Sequence, residues 1–92
     1  MNSPSLSLSF SVARHDTLGT LETVLSIARR GGLQLAGMTL HESRPFDVAT
    51  MTLRADDSDR LDLFVRRLGN VIDVSNIHCL LPMSTLLTVN ED

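Results

Sequence analysis

From Ser5 to Ala13, polar and apolar residues alternate without a break: Leu6, Leu8, Phe10 and Val12 share one side, and Ser5, Ser7, Ser9 and Ser11 share the other. Side chains of an extended chain point to opposite faces in turn, so this segment predicts a strand with one buried and one polar face. The period then changes. Leu18, Leu21, Val24, Leu25 and Ala28 recur at spacings of three and four, which places them on one stripe of a helix whose other side carries Thr20, Glu22, Thr23 and Arg30. Asp16 is positioned to cap that helix, and Gly31 and Gly32 after Arg29 and Arg30 supply a stop, so the helix is predicted from about Thr17 to Arg30.

A second strand is predicted from Leu33 to Glu42. Its apolar phase slips from Leu33 and Leu35 to Met38 and Leu40, which a period-two strand achieves only through an extra residue, so a bulge is predicted near Ala36 and Gly37. Ser43, Arg44, Pro45 and Phe46 read as a turn. A third strand over Asp47 to Ala55 follows, with Ala49, Met51 and Leu53 on one phase, and the pair reads as a hairpin. Asp56, Asp57 and Asp59 crowd the start of a second helix with the stripe Leu61, Phe64, Val65 and Leu68, and Arg66, Arg67 and Gly69 mark its end. Asp62 and Arg66 are spaced as an i,i+4 pair on its wet side. Val71 leads into a fourth strand running to about Leu81 and stopped by Pro82.

The order strand, helix, strand, strand, helix, strand is the split βαβ pattern. The predicted fold is therefore α+β and ferredoxin-like, βαββαβ, a four-stranded antiparallel sheet with two helices on one face. One domain is expected over residues 5–81, with a tail over residues 82–92 that contains Leu86, Leu87 and Val89.

Composition narrows the partners. The chain has 92 residues, enough for one domain and too few for two. Apolar residues make up 42% and charged ones 21%, a balance that supports a packed core. All positive charge comes from scattered arginines and the net charge is −3, so no nucleic acid partner is expected. Residues Met1 to Pro4 carry neither a positive n-region nor an apolar h-region, and no apolar run is long enough to span a bilayer. A cytoplasmic protein without membrane contact is expected. Cys79, the single cysteine, falls in a predicted strand and is expected to be a buried, reduced thiol.

Most catalytic chemistry has no residues to carry it. His15, His41 and His78 lie in separate elements without ligand spacing, and the three aspartates before the second helix complement its dipole, so neither a metal nor a cofactor is expected. Phe10, Phe46 and Phe64 are too few for an aromatic RNA platform, since two of them fall on core stripes. No phosphate-cradling GxxxxGK[ST], no GxSxG elbow and no nucleophile–base pair is found. No catalytic residue is assigned, and the chain is read as a non-enzyme. Arg14, just before the first loop, leaves a small acyl-phosphate hydrolase as the remaining catalytic alternative.

What is left is a corner suited to binding. Asp16, Thr17, Leu18, Gly19, Thr20 and Leu21 join the first strand to the first helix, where backbone N–H groups and the helix dipole favour an anion and the Asp16 carboxylate is able to hold an ammonium group. Gln34 enters the next strand near the opposite end of the helix, and across a two-fold dimer these groups, taken from two chains, would enclose an α-amino acid. In a plainer account Asp16 simply caps and Gly19 simply packs.

The pattern Asp16-x-x-Gly19-x-Leu21-x-x-Val24-x-x-Ile27-x-x-Arg30-x-Gly32-Leu33-Gln34-Leu35-x-x-Met38 resembles the ACT domain family. More narrowly it is similar to the small regulatory subunit of acetolactate synthase, and Leu68-x-x-Val71-x-x-Val74 fits the way that family's second helix runs into its last strand. The resemblance covers about Ser7 to Leu81. Asp16 and Gln34 stand where the family has asparagines, and Leu18 stands where it usually has proline.

The resemblance implies a non-catalytic homodimer that binds the thiamine-dependent catalytic subunit of acetolactate synthase, in branched-chain amino acid biosynthesis. It also implies that a branched-chain amino acid effector sits between subunits, against Asp16 to Leu21 of one chain and Gln34 and Leu35 of the other. The alternative is a stand-alone ACT-domain amino-acid sensor for another enzyme or regulator.

Overall fold

The structure, a computed structural model, describes residues 3–80. Strand β1 (Ser5–Ala13) passes through a 3-10 turn (Arg14–Asp16) into helix α1 (Thr17–Arg30), followed by β2 (Gln34–His41), β3 (Phe46–Arg54), α2 (Ser58–Leu68) and β4 (Val74–Leu80). The sheet order is β2-β3-β1-β4, and every neighbouring pair is antiparallel. This is the ferredoxin-like βαββαβ arrangement that the periodicities predict. The predicted tail over residues 82–92, with the last residue of the predicted fourth strand, lies outside the described residues.

The alternation in β1 decides where the core goes. Leu8, Phe10 and Val12 are buried together with Ala49, Met51 and Leu53 of β3, against Leu21, Val24 and Ala28 of α1 and Leu61, Phe64 and Leu68 of α2. Register matches size: Phe10 lies opposite Ala49 and Leu8 opposite Met51, so the largest ring sits beside the smallest neighbour in the layer. The other face keeps its hydroxyls, and Ser7 and Thr52 hydrogen-bond across it at 2.9 Å. The expected bulge is present, because β2 shifts register against β3 between Leu35 and Gly37 and leaves Ala36 unmatched.

Both helices are capped as their sequences suggest. The Gly19 N–H donates to Asp16 Oδ1 at 3.1 Å, and the Arg60 N–H donates to Asp57 Oδ1 at 3.1 Å. At the far end of α1, Gly32 takes φ +77°. Its N–H donates to the Arg29 carbonyl at 3.1 Å, and the Leu33 N–H donates to the Ala28 carbonyl at 3.0 Å. This is a Schellman stop, which requires a left-handed residue at that point.

Several sequence expectations are corrected. Leu18 is 77% exposed and Leu25 is 36% exposed, whereas Thr20, expected on the wet side, is 5% exposed. At about 100° per residue the buried arc of α1 is centred between Thr20 and Leu21, which turns Leu18 and Leu25 onto the flank opposite α2. Cys79 is exposed, not buried. It faces the same side as Leu8, its register partner, but β4 is an outer strand and α2 leaves a gap of about 400 Å³ between Leu6, Leu61, Val65 and Cys79. Strand β3 begins one residue earlier than expected and β4 begins only at Val74. Among the described residues Asp62 and Arg66 form no ion pair; in that helix Arg60 turns back to Asp57 at 3.5 Å. No helix among the described residues is long and apolar enough to cross a membrane.

Buried and exposed apolar positions separate in a denaturation experiment. Phe64→Ala, which empties a buried position, is expected to cost about 3–5 kcal/mol. Leu18→Ala is expected to stay within about 0.5 kcal/mol. Urea unfolding followed by circular dichroism measures both, and equal losses would contradict the burial described above.

Candidate functional site

The corner after β1 is shaped by an internal anion. Asp16 leaves the 3-10 turn and folds its carboxylate over the first turn of α1, where it accepts the Gly19 N–H. A Cβ at Gly19 would run into that same carboxylate, so the glycine is required by close approach. The positive end of the α1 dipole is therefore already matched by a charge from the chain itself. An incoming carboxylate meets repulsion at this point, and an ammonium group meets attraction. The Asp16 cap predicted from sequence is thus present, on the Gly19 N–H.

Beside the corner lies a hollow of about 460 Å³ between the first half of α1 and the connection from α2 to β4. Asp16 and Asp73 contribute carboxylates, Arg67 contributes a guanidinium, and Ile27, Val71 and Ile72 contribute apolar wall. His15 Nε2 of the 3-10 turn lies 3.4 Å from Asp73 Oδ2. Arg67 has no carboxylate within ion-pair distance among the described residues, and it lines both this hollow and its neighbour along the helix seam. Ile72 is 95% exposed and stands at the rim. A second hollow of about 450 Å³ lies further along the seam between the helices, but Arg60 there is already bonded to the Gly31 carbonyl at 3.1 Å and to Asp57.

The corner is held to the rest of the sheet by Asp47. This residue begins the inward phase of β3 and is 7% exposed. Thr17 Oγ1 donates to its Oδ2 at 2.8 Å, the Ser43 N–H donates to its Oδ1 at 3.3 Å, and Arg14 Nε lies 3.9 Å from Oδ1. Arg14 in turn donates to the Ser43 carbonyl at 2.8 Å and to Glu42 Oε2 at 3.2 Å. The Thr17 hydroxyl above all, then the Ser43 N–H and the Arg14 charge, hold the Asp47 carboxyl below its ordinary value against the opposing effect of burial. Arg14, the residue on which the acyl-phosphate alternative rests, is thus engaged with Glu42, Ser43 and Asp47 and lines a surface hollow with Glu42, Ser43 and Arg44.

The residues singled out from sequence divide into three groups. Asp16, Gly19 and Thr20 line the hollow. Thr17 points to Asp47, Leu21 is buried, and Leu18 faces outward. Gln34 and Leu35 sit at the other end of α1, whose 14 residues span about 21 Å, so one chain does not bring them to the corner. Asp47, Arg67, Val71, Ile72 and Asp73 were not anticipated. Asp47 carried a readable signal, since a carboxylate in phase with Ala49, Met51 and Leu53 must point inward. Among the described residues no group of three His, Cys, Asp or Glu side chains is placed to hold a metal.

No protein-family model and no curated protein matches this sequence. Solved structures do match the fold. The ACT domain of GTP pyrophosphokinase from Chlorobium tepidum superposes with a TM-score of 0.69 at 11% identity, covering 86% of this chain and 100% of that one. The C-terminal domain of the MgtC protein from Mycobacterium tuberculosis gives 0.69 at 11% identity, covering 85% and 86%. Prephenate dehydratase from Streptococcus mutans gives 0.64 at 13% identity, covering 86% of this chain and 41% of that one. The chain therefore shares the fold of ACT domains, and at these identities the likeness extends to the fold alone.

Two substitutions test the corner. Ala is the better helix former by about 1 kcal/mol, so Gly19→Ala is expected to stabilise the Asp16→Ala variant by roughly that amount. In the wild-type background the same change displaces the capping carboxylate and yields no gain. A double-mutant cycle by urea unfolding measures the difference, and additivity would refute the close approach. For Asp47 the depressed folded-state pKa means that the unfolded chain binds the proton more readily. Its stabilisation is fully present above the unfolded value of about 4 and disappears as pH falls through the lower folded value. The melting-temperature gap between wild type and Asp47→Asn should be widest at neutral pH and close as pH is lowered from about 5 to 2; a gap independent of pH would contradict the assignment.

Proposed function

We propose that this chain is a non-catalytic, cytoplasmic regulatory subunit that forms a homodimer, binds an α-amino acid in the corner hollow and modulates a larger enzyme. Acetolactate synthase is the enzyme that its loop sequence points to, with a branched-chain amino acid as effector. The observation that carries this reading is the mixed lining of the hollow. Carboxylates of Asp16 and Asp73 suit the ammonium end of a zwitterion, the Arg67 guanidinium suits its carboxylate, and Ile27, Val71 and Ile72 suit an aliphatic side chain.

The dimer is supported by the outer edge of β2. That strand contains no charged residue and no proline, two of the usual devices that keep an edge from pairing. Leu35 and Leu40 remain 49% and 46% exposed beside it, on the side of the molecule to which Leu18 and Leu25 of α1 are turned. Residues directly opposite in an antiparallel pair share a face. Met38 therefore suits a position on the two-fold axis opposite its own copy. Beyond the Ala36 bulge, Leu40 then faces the partner's Leu35, and His41 faces the partner's Gln34. In this arrangement the partner's Gln34 arrives beside the β2 exit, on the Leu18 and Leu25 flank of α1 and not in the hollow on the α2 side. The β4 edge differs at Asn76, whose φ of 52° and bond to Ser11 fold it locally.

A second reading, a stand-alone ACT-type amino-acid sensor for another enzyme or regulator, is favoured by Asp16, because the resembled subunit has an asparagine there.

Calorimetric titration with L-valine, L-leucine and L-isoleucine tests the effector. Binding is expected, with at least about a tenfold loss in Arg67→Ala, the scale of one charged hydrogen bond. Mixing with a purified acetolactate synthase large subunit tests the partner. Co-elution and altered activity are expected, and neither effect combined with tight amino-acid binding would favour the sensor. No binding and no partner effect would reject both.

A further inference from the structure

We infer that Asp47 is the joint through which the corner hollow and the β2 edge report on each other, so that filling one changes the affinity of the other. The inference rests on the dimeric, effector-binding reading above and adds a residue and a route to it.

Three parts of the chain that are distant in sequence end on this one carboxylate. Thr17 belongs to the first turn of α1, next to Asp16 and two residues from Gly19, both of which line the hollow. Ser43 lies two residues past His41, the last residue of β2, where the partner's Gln34 arrives in the paired edge. Arg14 belongs to the 3-10 turn and binds both the Ser43 carbonyl and Glu42. Asp47 receives a hydrogen bond from Thr17 on one oxygen and from the Ser43 N–H on the other. Neither can shift without moving a carboxylate that is nearly sealed from water by the sheet and α1.

The connection is stiff for a physical reason. A buried carboxylate stripped of a partner pays a desolvation cost, so its two oxygens hold their donors in fixed relation. An ammonium group drawn to Asp16 pulls on the first turn of α1. Thr17 transmits the displacement to Asp47 Oδ2, and Oδ1 hands it to the turn that ends the pairing edge. Thermodynamic reciprocity then requires that dimer formation alter effector affinity by the same factor. Thr17 and Asp47 are positioning residues in this scheme, and their effect is read in the coupling between two equilibria, not in either one alone.

The test measures the dimer dissociation constant by sedimentation, with and without saturating L-valine, in wild type, Asp47→Asn and Thr17→Val. Coupling of about five- to 150-fold is the ordinary range for linked sites. The expected result is a ligand-dependent shift of at least fivefold in wild type, reduced to within twofold in both variants and restored in Thr17→Ser, which keeps the hydroxyl. A shift of wild-type size in Asp47→Asn would overturn the joint while leaving the effector and dimer readings intact.

If L-valine neither binds nor shifts wild type, the effector reading fails, and amide hydrogen exchange decides the joint without ligand. Thr17→Val should then speed exchange of the Ser43 amide about tenfold in wild type and leave it unchanged in the Asp47→Asn background. Equal exchange in wild type and Thr17→Val would overturn the inference.

Discussion

A sheet with only one apolar face governs this molecule. Leu8, Phe10 and Val12 on β1, continued by Ala49, Met51 and Leu53 on β3, give the two central strands a single side that must leave water. Both helices are therefore drawn to that side, and the serine and threonine side is left bare. A domain of this size gains a comparatively modest burial from one such layer. What remains uncovered is apolar surface where the layer runs out: Leu35 and Leu40 on the outer strand, and Leu18 and Leu25 on the flank of α1. The same constraint that fixes the fold thus leaves an unfinished edge, and a second copy of the chain is an economical way to finish it.

The electrostatics of the corner follow from one substitution of roles. In a helix that awaits an anion, the first N–H groups are open. Here Asp16 fills that place, and Gly19 lacks a side chain so that it can. The hollow beside the corner is lined by the carboxylates of Asp16 and Asp73, the Arg67 guanidinium and a partly apolar wall, the mixed lining on which the zwitterion proposal rests.

Much of this could be read from the chain, and the failures have physical causes. Strand β1, both helix ends and the Ala36 bulge were legible because each rests on local periodicity or on a residue with a special backbone role, such as Gly32 at φ +77°. Leu18 and Leu25 were misplaced because hydrophobicity marks which residues prefer burial, whereas the roll of α1 is set by where α2 and the sheet lie, and that roll favours Thr20. Cys79 failed for a related reason: its phase points inward, but an outer strand is covered only as far as the helix above it reaches. The hollow was half legible. Asp16 and Gly19 announce themselves together at a helix start, while Arg67 and Asp73 join them only through the tertiary fold, some 50 residues away in the sequence.

Asp47 shows how a residue can be visible in sequence and still escape notice. A single carboxylate in phase with three buried apolar side chains is costly unless donors await it, so its presence there asks which donors do. Thr17, Ser43 and Arg14 answer from three separate segments. Because its two oxygens are divided between the helix that borders the hollow and the turn that ends the pairing edge, the residue does more than close a corner. It makes the position of α1 and the position of the β2 exit a single variable, and a binding event at either place acts on that variable.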